Sequence, residues 1–355
     1  MSLVVRIPGT GTPDVMETAT VAITEPSAGE VRVALELIGV NFADVMIRMG
    51  LYPDAPPFPM VPGYEAVGTV EAVGEGVSES RIGERVLVLA KFGCYAEHVC
   101  VPSLFALRCP DNVDVRDAAA LAVNWLTAYQ MLEVMAPPRP GETVLVHGAA
   151  GGVGQAAVQL AQRRGARVIG SASPAKHDML RQQGLDLVFD SRRPSFAATV
   201  QAATGGRGAD VVLEPRHGRW ILESYKSAAV AGRVVLHGFA GAATGKQGSR
   251  WSALKTVLEA PWLRINPISL MNDNKALMGV NLGRLWHDTD LLLEWLDELM
   301  GWLASGEIKP RLDRIYPLER ADLAHHRLQD RLNFGKILLA TSRYTGDDVV
   351  SEETV

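Results

Sequence analysis

Apolar and polar positions alternate through the first third of the chain. Val31, Val33, Leu35 and Leu37 are interleaved with Arg32, Ala34 and Glu36, the period of a half-buried strand. Stretches 67–73, 85–89 and 95–101 continue in the same manner, with Gly74, Gly76 and Gly83 at the bends, and together predict a compact β-rich domain. From Asp114 the period changes. Residues 118–135 are mostly apolar or small and read as helix, stopped by Pro137, Pro138, Pro140 and Gly141. Strands over 144–146, 167–170, 187–189, 211–213 and 234–238 then alternate with helices over 152–164, 174–183, 195–203 and 220–230. Short connections of this kind predict right-handed crossovers and a doubly wound parallel sheet with helices on both faces, so the fold class is α/β. In the stretch 241–267, Trp251, Leu254, Val257, Leu258 and Trp262 fit one amphipathic helical face, which reads as core packing, with a subunit interface or a substrate mouth as the alternatives. A long helix over 290–305 carries a core stripe of Leu292, Trp295, Leu296, Leu299 and Leu303, followed by a helix over 318–329 and a last strand over 336–340. Residues 346–355 are acidic and polar and read as a free tail.

One stretch adds chemistry to this pattern. Val144-Leu145-Val146-His147 runs into Gly148-Ala149-Ala150-Gly151-Gly152-Val153-Gly154, and that bend runs into the apolar stripe of the next helix. A pyrophosphate has to sit against backbone N–H groups at a helix N-terminus, where the dipole favours negative charge and side chains are in the way. Ala150, Gly151, Gly152 and Val153 form that cradle, while Gly154 lets the helix close on the strand, although Ala149 stands where the first glycine of the usual motif would be. The second strand then ends Ser171-Ala172-Ser173-Pro174-Ala175-Lys176-His177, with no carboxylate for a ribose 2′-hydroxyl. Ser173 and Lys176 suit a 2′-phosphate, with Arg192 and Arg193 after the third strand adding positive charge, so the expected cofactor is NADPH.

Length and charge narrow the class further. A chain of 355 residues suggests two domains, and a net charge of −5 with scattered Lys and Arg gives no footprint for nucleic acid. No apolar run approaches the roughly 18 residues of a membrane helix, and the first residues lack a signal-peptide pattern, so no integral membrane segment and a cytoplasmic location are expected. Cys94, Cys100 and Cys109 fit neither a disulfide framework nor a four-thiolate zinc site and read as reduced thiols.

Four segments taken together carry a family resemblance: Gly39-Val40-Asn41-Phe42-Ala43-Asp44, Arg48-Met49-Gly50-Leu51-Tyr52-Pro53, Val61-Pro62-Gly63-Tyr64-Glu65-Ala66-Val67-Gly68 and the glycine-rich bend. In their order and spacing the chain resembles the zinc-free, quinone oxidoreductase-like branch of the medium-chain dehydrogenase/reductase superfamily. Ser173-Pro174-Ala175-Lys176-His177 and Gly306-Glu307-Ile308-Lys309-Pro310 are most similar to the subgroup named for a synaptic-vesicle membrane protein. The resemblance implies a GroES-like catalytic domain from 1–123 with 286–341, a Rossmann NADPH-binding domain at 124–285, a flexible acidic tail at 342–355 and a homodimer. It also implies that quinones or α,β-unsaturated carbonyl compounds are reduced in the cleft between the domains.

The positions matching the metal ligands of zinc-dependent relatives are Asn41, Tyr64 and about Val123, none of them a plausible zinc ligand, so no metal is expected. Asn41 and Tyr52 are expected at the nicotinamide end as polarising or proton-relaying groups, and Thr127, Phe239 and Asn333 match cofactor contacts. Asp44 is expected to orient a neighbouring loop and His147 to be a core residue. One departure stands out: after the fourth strand of the nucleotide domain, Glu214-Pro215-Arg216-His217-Gly218-Arg219-Trp220 replaces a small glycine-containing turn. That loop either narrows the nicotinamide pocket or adds donors for an anionic substrate. Without a Lewis acid, conjugate reduction needs only a hydride and a donor at the developing oxyanion. Two other readings share the fold: a non-catalytic NADPH-binding protein acting by association, and an enoyl-thioester reductase.

Overall fold

In the computed structural model, residues 1–238 and 266–350 are described. The chain divides into two compact units, one of residues 1–124 and 293–350 and the other of 125–238 and 266–292, with the second division falling inside the helix Thr289–Ser305. The strands are β1 (Ser2–Arg6), β2 (Glu17–Val21), β3 (Glu30–Val40), β4 (Glu65–Val73), β5 (Arg85–Leu89), β6 (His98–Pro102), β7 (Ala106–Arg108), β8 (Thr143–His147), β9 (Arg167–Ala172), β10 (Leu187–Asp190), β11 (Ala209–Glu214), β12 (Ala228–His237), β13 (Ala276–Val280), β14 (Leu312–Pro317) and β15 (Lys336–Ala340).

The first unit is built on a sheet ordered β14-β15-β3-β4-β5-β7, with β6 also paired to β3 and a separate β1-β2 hairpin. Apart from the parallel β14-β15 pair its ladders are antiparallel, and β15 brings the end of the chain back against β3, Ile337 opposite Val40. Alternating residues Val31, Val33 and Leu35 are fully buried in its core with Val70, Val86, Val88, Ile337 and Leu339. Close approach requires glycine at several positions, among them Gly68 and Gly39. A Cβ on Gly68 would lie 2.1 Å from the Ala34 carbonyl oxygen, and one on Gly39 would lie 2.6 Å from a Glu65 carboxylate oxygen.

The second unit holds six parallel strands in the order β10-β9-β8-β11-β12-β13. Numbered along this sheet, that is 3-2-1-4-5-6, the order in which helices change faces between the first and fourth strands and open a crevice at their C-terminal ends. Every residue of β8 is buried, as expected of a central parallel strand. Leu145, Ile169, Val212 and Val234, from four neighbouring strands, form its core with Phe189 and Phe196.

Some elements differ from the pattern-based expectation. The helix expected over 220–230 ends at Ser227, because Ala228 pairs at once with Ala209 and starts β12. Gly208 makes this possible, since a Cβ there would lie 2.7 Å from the Ser227 carbonyl oxygen. The helix over 118–135 is divided into Val115–Ala119, Ala122–Tyr129 and the π-helical Gln130–Met135. The tail expected to be free from Gly346 is held as far as Val350: Val350 N donates to Ile315 O at 2.8 Å, and Asp348 accepts from Tyr344 and Arg116 at 2.7 and 3.1 Å. These contacts give its acidic side chain specific partners. Phe239 and the Trp251 to Trp262 face lie outside the described residues.

Candidate functional site

The nucleotide half begins where β8 ends. Gly148 turns the chain at φ +65°, a conformation costly for a side chain, and Gly151 caps the helix Gly152–Arg163. No side chain caps this helix and no acidic residue stands in its first turn. Its first N–H groups and positive dipole end therefore present an anion site. Gly154 is constrained most: a Cβ would lie 2.2 Å from the Gly148 carbonyl oxygen and 2.8 Å from Ala149 Cα. Ala149 and Ala150 are buried against the sheet, so the smallest side chain suffices where the motif usually has glycine.

The residues expected at the 2′-phosphate share one sheet end. Asp190 of β10 lies opposite Ala172 of β9, and Ser191 N donates to Ala172 O at 3.0 Å, which sets Ser173 and Arg192 on neighbouring strand ends. Ser173 heads the short turn Pro174–Lys176 without using its hydroxyl as a cap. Ser173 and Lys176 are half-exposed. Arg192 is exposed and bidentate to Asp190, Nε to Oδ1 at 3.1 Å and Nη2 to Oδ2 at 2.9 Å. Thr127 is a half-exposed residue of the helix Ala122–Tyr129.

In the altered loop after β11, Arg216 is not placed as a donor for an anionic substrate. Arg216 is buried, with Nε donating to Glu214 Oε1 at 2.7 Å, Nη2 to Glu214 Oε2 at 2.8 Å and Nη1 to the Ser191 carbonyl at 2.8 Å. Its guanidinium lies 4.2 Å from the Trp220 ring centroid and 5.4 Å from that of Phe196. Rather than offering donors to an anionic substrate, it neutralises a carboxylate that ends a fully buried strand and ties that strand to the turn after β10. Glu214 also accepts from Ser224 at 2.6 Å, and His147, buried as expected, meets Ser171 Oγ at 2.8 Å. Burial opposes charge on Glu214, yet its neighbours, with His147 and Arg216 foremost, hold the carboxyl down at about 2. Burial also pushes His147 down to about 3, leaving a neutral imidazole.

In the other unit, Asn41 precedes the helix Phe42–Arg48. Its backbone N–H donates to Asp44 Oδ2 at 2.8 Å, and Asp44 Oδ1 accepts from Gly63 N at 3.1 Å, so Asp44 fastens the Val61–Tyr64 loop to the helix. Burial raises the Asp44 carboxyl to about 7. The Asn41 carboxamide is engaged on both sides: Nδ2 donates to Glu65 Oε1 at 2.8 Å, and Oδ1 accepts from Lys336 Nζ at 2.7 Å. Lys336 also pairs with Glu65, whose Oε2 accepts from Val123 N at 2.7 Å. Asn41 is thus held among protein groups, a geometry that suits a positioning role better than the polarising role expected for it. Glu65 and Lys336 were not singled out in the sequence. Their signal was a charge at the head of each of two apolar strands.

Tyr64 is buried in an apolar cluster with Ile7, Ile47 and Met60, against which Tyr52, Phe58, Phe92 and Val123 pack. Tyr52 meets it edge-on at 6.3 Å between ring centroids, and Phe92 lies at 5.4 Å. Tyr52 is half-exposed. Asn333 is buried and donates through Nδ2 to the Gly335 carbonyl at 2.8 Å. A carboxamide held by an ion pair, a phenol and a valine at 41, 64 and 123 do not make a zinc site. Among the described residues no group of three His, Cys, Asp or Glu side chains is arranged to hold a metal, and no helix is long and apolar enough to cross a membrane.

Comparison with known proteins gives consistent neighbours. Residues 27–111 match the alcohol dehydrogenase GroES-like domain, and residues 152–298 match the zinc-binding dehydrogenase family. The synaptic vesicle membrane protein VAT-1 homolog of Rattus norvegicus is 36% identical over 315 residues, covering 88% of this chain and 77% of that protein. A quinone oxidoreductase of Rattus norvegicus is 30% identical over 324 residues, covering 90% and 92%. Among solved structures, the human VAT-1 homolog-like protein is similar with a TM-score of 0.82 at 31% identity, covering 96% of this chain and 98% of that one. A mycobacterial protein complexed with NADPH is similar with a TM-score of 0.81 at 32% identity, covering 96% and 100%. With its GroES-like unit, its parallel nucleotide sheet and these relatives, the chain belongs to the medium-chain dehydrogenase/reductase superfamily of nicotinamide-dependent oxidoreductases, close to the quinone oxidoreductases and the VAT-1 homologs.

Proposed function

We propose that the protein is a zinc-independent, NADPH-dependent reductase of quinones or α,β-unsaturated carbonyl compounds. The observation that carries this reading is the chemistry at the former metal positions: Asn41 is locked between Glu65 and Lys336, and a phenol stands at Tyr64, beside a second phenol at Tyr52. Hydrogen-bond donors set in an aromatic cluster suit an oxygen that gains negative charge during conjugate reduction. Because Asn41, Tyr64 and Val123 are not zinc ligands, these positions offer no Lewis acid of the kind that stabilises the alkoxide in metal-dependent alcohol oxidation.

The protein's part is to bind and align. Bound NADPH would supply the hydride. The Gly152–Arg163 helix N-terminus, with Ala150, Gly151, Gly152 and Val153, would hold the pyrophosphate, and the steric demand at Gly154 fits a cradle kept open for it. Ser173 and Lys176 would take the 2′-phosphate, with Arg192 joining from its Asp190 partner. Thr127 and Asn333 are assigned to the cofactor and Phe239 to the nicotinamide. Tyr52, half-exposed, would carry a proton from solvent toward the substrate oxygen. An enoyl reductase is among the similar solved structures, with a TM-score of 0.81 at 26% identity, so enoyl thioesters belong in the substrate panel.

The decisive test is loss of nicotinamide absorbance with quinones, small enones and an enoyl thioester, run with NADPH, with NADH and with Tyr52→Phe. Turnover that favours NADPH supports the reading. Tight NADPH binding with no oxidation on any substrate would instead indicate a binding protein.

We also propose a homodimer. Strand β13 ends the nucleotide sheet, and its outer edge has no partner among the described residues. Ile268 and Met271 on the preceding helix are 65% and 68% exposed, and Val230 is 69% exposed. An unpaired edge strand near exposed apolar side chains is the kind of surface that oligomers cover. Light scattering that gives the mass of one chain at micromolar concentration would refute it.

A further inference from the structure

Buried polar atoms without a hydrogen-bond partner in the described residues are Arg32 Nε, Tyr64 OH, Gln130 Oε1, Glu133 Oε1 and Arg233 Nε. The arginines and Glu133 have other atoms in ion pairs, Arg32 with Glu25, Arg233 with Glu142 and Glu133 with Arg164. Gln130 sits within the π-helical turn as half of a carboxamide. Tyr64 differs from all of these, because its hydroxyl is the only polar atom of its side chain. The residue is 7% exposed. The Tyr52 phenol is its nearest polar neighbour and raises its pKa through a weak hydroxyl–hydroxyl interaction as well as through charge, but the pair falls short of hydrogen-bond geometry.

The contrast with Tyr95 is instructive. That buried phenol lies in the same unit and has two partners, Asp44 Oδ2 at 3.4 Å and His325 Nε2 at 3.0 Å. A buried hydroxyl with no partner destabilises the fold, and a fold retains one where a ligand completes it. Tyr64 is also held in place. Gly63 before it is fixed by Asp44 and by a φ of +103°, where a Cβ would lie 2.7 Å from the Tyr95 ring, and the Tyr64 carbonyl accepts from Ala90 N at 2.8 Å. Its donor is therefore preorganised among Phe92, Tyr52, Met60 and Ile47, which pack ring and aliphatic carbon around it.

We infer that Tyr64 is a substrate-binding residue whose hydroxyl donates to the carbonyl oxygen of a flat, conjugated substrate lying against Phe92 and Tyr52. This inference rests on the reductase reading above and sharpens it, because a donor in an aromatic cluster selects planar quinones over short aliphatic enones. The reaction takes a hydride from NADPH and a proton from water, and Tyr64 gives up neither. Burial raises its pKa and keeps it a neutral donor. By holding the oxygen as charge develops, it favours the transition state over the ground state.

Tyr64→Phe removes the donor and keeps the ring, so its effect is separable from packing. The wild type and the variant are compared in three measurements: melting temperature, tryptophan-fluorescence titration of the NADP⁺-loaded protein with 1,4-naphthoquinone, and steady-state reduction of that quinone by NADPH. The expected result is an unchanged or higher melting temperature, quinone binding weaker by about tenfold and kcat/KM lower by about tenfold or more. A lower melting temperature would show that the hydroxyl has a structural partner and would overturn the inference. So would unchanged quinone binding and kcat/KM in an active protein, while leaving the reductase reading intact. A wild type that binds NADPH but neither binds nor reduces any quinone or enone would overturn both.

Discussion

Lys336→Met is the sharpest probe of how the first unit holds its site. Lys336 Nζ donates to Asn41 Oδ1 at 2.7 Å and pairs with Glu65, the two side chains being 3% and 0% exposed. Methionine keeps an unbranched apolar stem of similar reach and removes the ammonium. Glu65 would then be a buried carboxylate with two remaining donors, Asn41 Nδ2 at 2.8 Å and Val123 N at 2.7 Å. Breaking one side of a buried pair costs about 3–5 kcal/mol, and the retained donors place this case near the lower end, at about 3 kcal/mol. Glu65→Gln strands the ammonium instead and is expected to cost a similar amount. The double variant buries no charge. It should lose much less than the sum of the two, with a coupling of about 2–3 kcal/mol. The assay is urea unfolding followed by tryptophan fluorescence, to which Trp295 and Trp302, buried in this unit, contribute. A Lys336→Met cost below about 1 kcal/mol, or additive single costs, would refute a shared buried pair.

Other predictions concern the nucleotide unit. Gly154→Ala drives a Cβ onto the Gly148 carbonyl oxygen, 2.2 Å away, so the helix must move off the bend; NADPH binding by calorimetry should weaken at least about tenfold, and unchanged affinity would refute the cradle. Arg216→Gly leaves Glu214 buried without its guanidinium and should lower stability by about 3 kcal/mol in urea; a neutral result would mean that Arg216 does not serve as its counter-ion. Burial holds His147 down to about 3 and His237 to about 4, from an ordinary 6.5. Between those values the unfolded chain binds protons that the native unit refuses, so stability is full above pH 6.5 and is lost as pH falls toward 4. The slope is about 3 kcal/mol per pH unit for the two together. Urea midpoints at pH 7 and pH 5 check this, and His147→Gln should reduce the slope by about half. In the first unit Asp44 has the opposite sign: its carboxyl, raised to about 7, keeps its proton in the fold above 3.8, and that contribution is lost as pH rises from 4 to 7. Asp44→Asn should remove it, as urea unfolding of the variant at both pH values would show.

What was legible in the sequence depended on how local each constraint is. The bend at Gly148 to Gly154 could be read because strand, turn and helix start are contiguous and each residue answers to its neighbours. The parallel order followed from alternation with short connections. Asn41 shows where local reading ends. The resemblance put it at the nicotinamide end as a polarising group, but its acceptor is taken by Lys336, 295 residues further on, which returns only because β15 pairs with β3. Arg216 fails for a different reason. Its partner is only two residues away, but whether Glu214 faces water or the core depends on β11 lying between β8 and β12, and on that burial turns the choice between an arginine that reaches outward and one that folds back. Tyr64 combines both difficulties. Next to Glu65 in sequence, it was read only for the metal it would not bind, whereas its chemistry lies in a hydrogen bond it lacks. Missing partners are properties of packing, visible only when every neighbour has a position, and substrate sites are built from them. A site is therefore the part of a fold where sequence patterns, each tuned to groups satisfied within the chain, say least.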